Sequence, residues 1–150
     1  MTKTRPIFVI VPGGSQNPTH YGYLTHLLQS ANYPTFSALL PSVGNSSKVT
    51  TQDDMAFIRD RMILPILELE EHDVILVMHS YSGVPGSAAA LGLGKKERIA
   101  QGKRAGVLDR YSTLRCYRKA AMGSTSLPLA VEASHHFSDL TYVLVFHRTT

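Results

Sequence analysis

Asp73-Val74-Ile75-Leu76-Val77-Met78-His79-Ser80-Tyr81-Ser82-Gly83-Val84-Pro85-Gly86 is the stretch whose reading decides the fold. Val74 to Met78 is a continuous apolar run of strand length, which suits a strand buried on both faces in a parallel sheet. His79 to Gly83 is a turn. Val84 to Leu93 then reads as a helix rich in small residues (Ser87, Ala88, Ala89, Ala90), able to pack close to a sheet, with Gly92 and Gly94 ending it. A serine on a tight strand-to-helix turn is the arrangement of a nucleophile elbow. The backbone is strained there, so small residues are wanted two positions to either side. The hydroxyl stands above the sheet at a helix N-terminus, where N–H groups and the helix dipole favour a developing oxyanion. Against the pattern G-x-S-x-G, Met78 takes the first glycine position and Ser82 the second, with Gly83 one residue later. The competing reading of Ser80 is an ordinary helix N-cap, and the turn alone does not separate the two.

The chain before this stretch supplies a second feature. Ile7 to Val11 is another buried-strand run, and it ends in Pro12-Gly13-Gly14-Ser15. In folds built on such an elbow, the loop after the corresponding strand donates the second oxyanion-hole N–H, and glycines there let the backbone come close to a substrate. A phosphate loop is the rival, but neither G-x-G-x-x-G nor the P-loop lysine is present. Asn17-Pro18-Thr19 starts a helix whose apolar positions are Tyr21, Leu24, Leu27, Leu28 and Ala31, and Asn32-Tyr33-Pro34 stops it. Thr35 to Leu40 reads as a second strand and Pro41 to Ser47 as a loop, in which Asn45-Ser46-Ser47 matches a glycosylation acceptor. Thr51 is expected to begin the next helix, with Asp54 as an imperfect capping-box partner. Met55, Ile58, Met62, Ile66 and Leu69 mark its core face and Pro65 should bend it. Lys95 to Gln101 adds a short helical turn. Strand and helix alternate throughout, which argues an α/β layered fold with a parallel sheet.

At 150 residues, 43% hydrophobic and 17% charged, the composition is that of one globular domain. No apolar run approaches the roughly 20 residues that span a bilayer, and the five-residue run after the basic N-terminus is too short for a secretory signal. The single cysteine, Cys116, allows no intrachain disulfide, so a cytoplasmic location is expected. Net charge is +4. Lys95, Lys96, Arg98, Lys103, Arg104, Arg110, Arg115, Arg118 and Lys119 form a basic cluster. No aromatic stacking pattern accompanies it, so it reads as solvated charge rather than a nucleic-acid surface.

Six segments together resemble a known family. They are Phe8-Val9-Ile10-Val11-Pro12-Gly13, Pro18-Thr19-His20-Tyr21, Leu40-Pro41-Ser42-Val43-Gly44, Asp53-Asp54, Val77-Met78-His79-Ser80-Tyr81 and Gly83-Val84-Pro85-Gly86. They resemble a fungal, esterase-like branch of the α/β-hydrolase superfamily, distantly similar to plant methyl esterases and hydroxynitrile lyases. The resemblance runs from about Pro6 to Leu108. It implies a three-layer α/β-hydrolase-like fold with a mostly parallel sheet, of which this chain carries the N-terminal half. Met-His-Ser-Tyr-Gly-Gly is a common elbow in that branch, so Ser82 is the departure. Carried over by position, Ser80 is the nucleophile, and the backbone N–H of Tyr81 with that of Gly14 or Ser15 forms the oxyanion hole. The implied reaction is ester hydrolysis through an acyl-enzyme. A small-molecule ester is the expected substrate, and no metal or organic cofactor, nucleic acid or membrane is implied.

After Leu108 the resemblance stops, which divides the chain into residues 1–108 and an atypical tail, 109–150. Asp109 to Lys119 carries too many charges for a sheet interior. A one-base frame change near Leu108 accounts for it: with permitted codons the shifted frame encodes Gly-Ser-Leu-Leu-His-Ala-Ala-Leu-Leu-Pro-Gln-Gly, which is similar to the family's next strand and loop. A splicing change would leave the same trace. The triad order of this fold is serine, acid, histidine. Asp109, His135, His136, Asp139 and His147 are the tail's candidates for the last two places, although only chain order favours them. His135-His136 alone is a weak metal signal. Tyr142 to Phe146 looks like a strand able to cover a sheet edge. A sheet that ends after its third or fourth strand leaves an open edge, so self-association through that edge is expected. The expected function is therefore a serine hydrolase. The alternatives are a catalytically inactive α/β remnant, a lyase on the same scaffold and, more distantly, a nucleic-acid binder.

Overall fold

A computed structural model describes residues 5–45 and 48–112, with the short strands Ala130–Val131 and Leu144–Val145. Its main sheet is built from β1 (Ile7–Val11), β2 (Thr35–Ser37), β3 (Val74–Met78) and β4 (Val107–Ser112). The strands lie in the order β2-β1-β3-β4 and every pairing is parallel. The ladder at the centre runs from Ile7 opposite Val74 to Val11 opposite Met78.

Alternation along β1 and β3 sends side chains to opposite faces. Val9, Val11, Leu76 and Met78 pack with Ile58, Met62, Ile63 and Leu67 in the main core on one face. Ile10 and Val77 pack with Tyr21, Leu24 and Leu28 on the other. Helix α1 (Gly22–Ser30), entered through the 3-10 turn Pro18–Tyr21, therefore covers one face. On the other lies a helix built from α2 (Thr51–Phe57), a π-helical segment (Ile58–Ile63) and α3 (Leu64–Glu68), joined by α4 (Gly83–Ala89). The result is the three-layer, parallel, α/β-hydrolase-like architecture. Proline lacks an N–H and its ring strikes the carbonyl four residues back. The widened turn just before Pro65 meets that constraint without breaking the helix. Arg59, carried by this segment, donates to the carbonyls of Ala89 (2.7 Å) and Leu91 (3.0 Å) and so closes the end of α4.

Three boundaries differ from the sequence reading. β2 is an edge strand and stops at Ser37 rather than Leu40. The long helix is capped by Thr50, not Thr51, with Asp53 as its box partner. α4 ends at Ala89, and Gly92 turns the chain with φ +72°. α5 (Lys95–Ala100) leads to β4. That strand continues past Leu108 through Asp109 to Ser112, and its register on β3 slips by one residue at Leu108. Among the described residues β5 (Ala130–Val131) and β6 (Leu144–Val145) pair with each other, antiparallel, as a separate two-stranded sheet.

Candidate active site

From β1 the chain turns to one side of the sheet, toward β2, while β3 lies on the other side of β1. Between the carboxyl ends of β1 and β3 the connections diverge, and that crevice is where open parallel sheets hold their ligands. Two segments meet there, Pro12-Gly13-Gly14-Ser15 and His79-Ser80-Tyr81-Ser82.

Ser80 is exposed and has φ +50°, a left-handed backbone in a residue other than glycine. Such a conformation costs about 1–2 kcal/mol and is held only when the surroundings impose it. An N-cap residue has an extended backbone. His79 has that geometry, with φ −108° and ψ 127°, and Ser80 begins the 3-10 turn Ser80–Ser82 that runs into α4. Ser80 is therefore not an N-cap serine.

The two departures from the glycine pattern each have a local explanation. Met78 is buried against α4, and a Cβ added to Gly86 would lie 2.5 Å from its sulfur and 3.0 Å from its Cγ. The bulk at position 78 is matched by a missing side chain across the interface. Ser82 is fully buried. Its Oγ accepts from the His79 N–H (2.9 Å) and lies 2.9 Å from the Val11 carbonyl, to which it donates. The hydroxyl thus ties the elbow to the end of β1, a bond that glycine could not make.

The facing loop is held as closely. A Cβ on Gly13 would stand 2.7 Å from His79 Nδ1 and 2.8 Å from Gln16 Oε1, so a side chain there would displace His79 and Gln16 from each other. The Gly13 N–H donates to the Tyr21 hydroxyl (3.1 Å) and to Gln16 Oε1 (3.3 Å). Gln16 Oε1 also meets the Tyr21 hydroxyl and His79 Nδ1, the latter at 2.8 Å. Burial holds the half-buried His79 ring below the usual histidine range. Gly14 lies in van der Waals range of Tyr81, its added Cβ falling 3.5 Å from the Tyr81 Cβ. Ser15 is exposed with φ +60°. Three of the positions singled out in the sequence, Gly14, Ser80 and Tyr81, are thus brought to one crevice, with Ser15 next to them.

The chain is 35% identical over 94 residues to Alpha/beta hydrolase nvfD of Aspergillus novofumigatus. The likeness supports the α/β-hydrolase superfamily. It covers 62% of this chain and 37% of that relative, so the chain matches well under half of the relative's length. No protein-family model matches the chain, and no solved structure does.

A buried carboxylate anchors Tyr81 of the elbow. Asp54 is fully buried, accepting the Ser42 N–H at 3.0 Å and the Tyr81 hydroxyl at 2.8 Å. Burial raises the Tyr81 phenol above its ordinary range, and the Asp54 carboxylate beside it adds to the rise. The one-residue change in the cap is what frees Asp54 for this place, since Asp53 takes the Thr50 N–H instead (2.7 Å).

The Asp109 backbone lies further down the strand than the elbow. It pairs with Ile75, whereas Ser112 pairs with Met78 at the carboxyl end of the sheet. Three residues of strand separate the two levels, about 10 Å. His135, His136, Asp139, His147 and Cys116 lie outside the described residues. Much of the basic cluster is engaged within the fold: Lys95 with Asp73 (2.6 Å), Arg98 and Lys103 with Glu68 (2.8 and 2.9 Å), and Arg104 with Glu71 (3.5 Å). Among the described residues no three His, Cys, Asp or Glu side chains gather as a metal site. Nor is any described helix long and apolar enough to cross a membrane.

Proposed function

We propose that this chain is a serine hydrolase of the α/β-hydrolase superfamily, acting on a small carboxylic ester through Ser80, in the cytoplasm. The observation that carries the reading is the left-handed backbone of an exposed serine between a buried strand and a helix. In this reading Ser80 Oγ attacks the ester carbonyl and its proton passes to a base. The carbonyl oxygen becomes an oxyanion held by the N–H of Tyr81 and that of Gly14 or Ser15. Collapse expels the alcohol, which takes up the proton, and leaves an acyl-serine. Water then cleaves the acyl-serine to the acid and restores the hydroxyl. By the chain order of this fold the base follows Ser80 in the sequence. Neither metal nor organic cofactor enters the scheme.

A second reading is a catalytically silent chain whose residues 109–150 come from a shifted frame. The charges at Asp109, Arg110, Arg115, Arg118 and Lys119, where the family resemblance stops, favour it. The transcript sequence decides that point: a long open frame restored by a one-base shift supports it, and its absence removes it.

Labelling of the purified, folded chain with a fluorophosphonate probe tests the first reading. Modification of wild type that is lost in Ser80→Ala supports an activated Ser80. A folded chain that takes no label refutes the hydrolase.

A further inference from the structure

Gln16 lies in none of the patterns that identify the elbow, yet its side-chain oxygen stands where the loop after β1, the entry of α1 and the elbow meet. It is within hydrogen-bond distance of three donors from three segments: the Gly13 N–H at 3.3 Å, the Tyr21 hydroxyl, and His79 Nδ1 at 2.8 Å. Gly13 and Gln16 belong to the loop after β1, Tyr21 to the entry of α1, and His79 to the elbow itself. We propose that Gln16 is a positioning residue whose carbonyl locks the loop after β1 onto the elbow and fixes His79 as the Nδ1–H tautomer. The inference rests on the reading of Ser80 and this loop as a hydrolytic site.

The chemistry follows from the donors. The Gly13 N–H and the Tyr21 hydroxyl both donate to the Gln16 side chain, which orients the carboxamide with its oxygen inward. An acceptor at 2.8 Å then requires His79 Nδ1 to carry a proton, which in the neutral ring makes Nε2 the unprotonated nitrogen. The Tyr21 hydroxyl donates to Gln16 and accepts from Gly13 at 3.1 Å, so the Gly13 N–H, the Tyr21 O–H and the His79 Nδ1–H each have an acceptor. Tyr21 is also packed edge-on to the His79 ring, with centroids 5.9 Å apart. One consequence concerns the oxyanion. The Gly13 N–H is consumed by this cluster, so the loop's contribution to an oxyanion hole falls to Gly14 or Ser15, and their placement depends on how firmly Gly13 is held.

The test uses the full chain with nitrogen-15 labelled histidine. Wild type is expected to show His79 as the Nδ1–H tautomer. Gln16→Met keeps the length and removes the acceptor; it is expected to lose that tautomer and to speed hydrogen exchange at the Gly13 amide. Gln16→Glu keeps an acceptor and adds a charge, so it is expected to keep the tautomer and raise the His79 pKa. An Nε2–H ring in wild type overturns the proposal, as does a His79 titration unmoved in Gln16→Glu, which serves even if Gln16→Met fails to fold. These readouts do not need catalysis, so they stand whether or not Ser80 is active. Where wild type labels with fluorophosphonate, Gln16→Met is expected to label at least about tenfold more slowly. A displacement of about 1 Å can cost on the order of a hundredfold in rate. An unchanged labelling rate refutes positioning, whereas a wild type that never labels counts against the hydrolase and leaves the tautomer result to decide Gln16.

Discussion

Replacing Gly86 by alanine should change the sign of its effect according to the residue at position 78. In wild type the new methyl would sit 2.5 Å from the Met78 sulfur and 3.0 Å from its Cγ. Met78 is only 2% exposed, so its side chain has no solvent to move into. Overpacking of this kind costs about 1–3 kcal/mol. It is partly offset by alanine's advantage over glycine in a helix interior, about 0.5–1 kcal/mol. The expected net effect is a loss of about 1 kcal/mol. Met78→Ala alone opens a cavity and should cost about 2–5 kcal/mol. In that background the clash is gone and the propensity gain remains, so Gly86→Ala should stabilise, by up to about 1 kcal/mol. The coupling between the two sites is then about 2 kcal/mol, within the range seen for residues in contact. Urea unfolding of wild type, both single variants and the double variant measures it, provided the slopes stay equal. Additivity within about 0.5 kcal/mol would mean that Gly86 is not what admits a methionine at the elbow.

Two further outcomes are expected. Ser82→Gly restores the glycine pattern but removes the hydroxyl that joins His79 to Val11, so it should destabilise the fold by about 1–3 kcal/mol; a variant as stable as wild type in chemical denaturation would contradict the role given to that hydroxyl. The His79 pKa is lowered by burial, so the unfolded chain binds more protons, and the ring's contribution is present above its unfolded pKa of about 6.5 and is lost as pH falls through the folded value. Thermal midpoints should therefore drop between about pH 7.5 and 5.5 in wild type more than in His79→Gln, and equal drops would show that His79 is not responsible.

How much of this was legible in the sequence depends on whether the signal was local. The runs Ile7–Val11 and Val74–Met78 identify the central strands because a strand buried on both faces needs uninterrupted apolar residues. Ser80 and the Pro12–Ser15 loop were legible because turn geometry restricts residue type over a few positions. The cap was misread by one residue because Thr50 and Thr51 are chemically equivalent and only packing chooses between them. That single step turns Asp54 from a cap partner into a buried anchor for Tyr81. The role of Gly86 was hidden because its reason, Met78, lies on another element. Gln16, Tyr21 and His79 come from segments with no common period, so no periodicity links them; Tyr21 reads as part of an apolar stripe and of a family-like segment, neither of which points to its hydroxyl.

The backbone at Ser80 carries a consequence for descent. On folding grounds alone, glycine or asparagine is the better occupant of a left-handed position. Serine there is a standing burden on stability that only use of its hydroxyl would justify. In a lineage that had lost the activity, this site is where drift toward glycine or asparagine would first be favoured rather than merely tolerated. A comparison of orthologues at this one position, set against the neutral rate elsewhere in the chain, would then date the loss of function or show that it never happened.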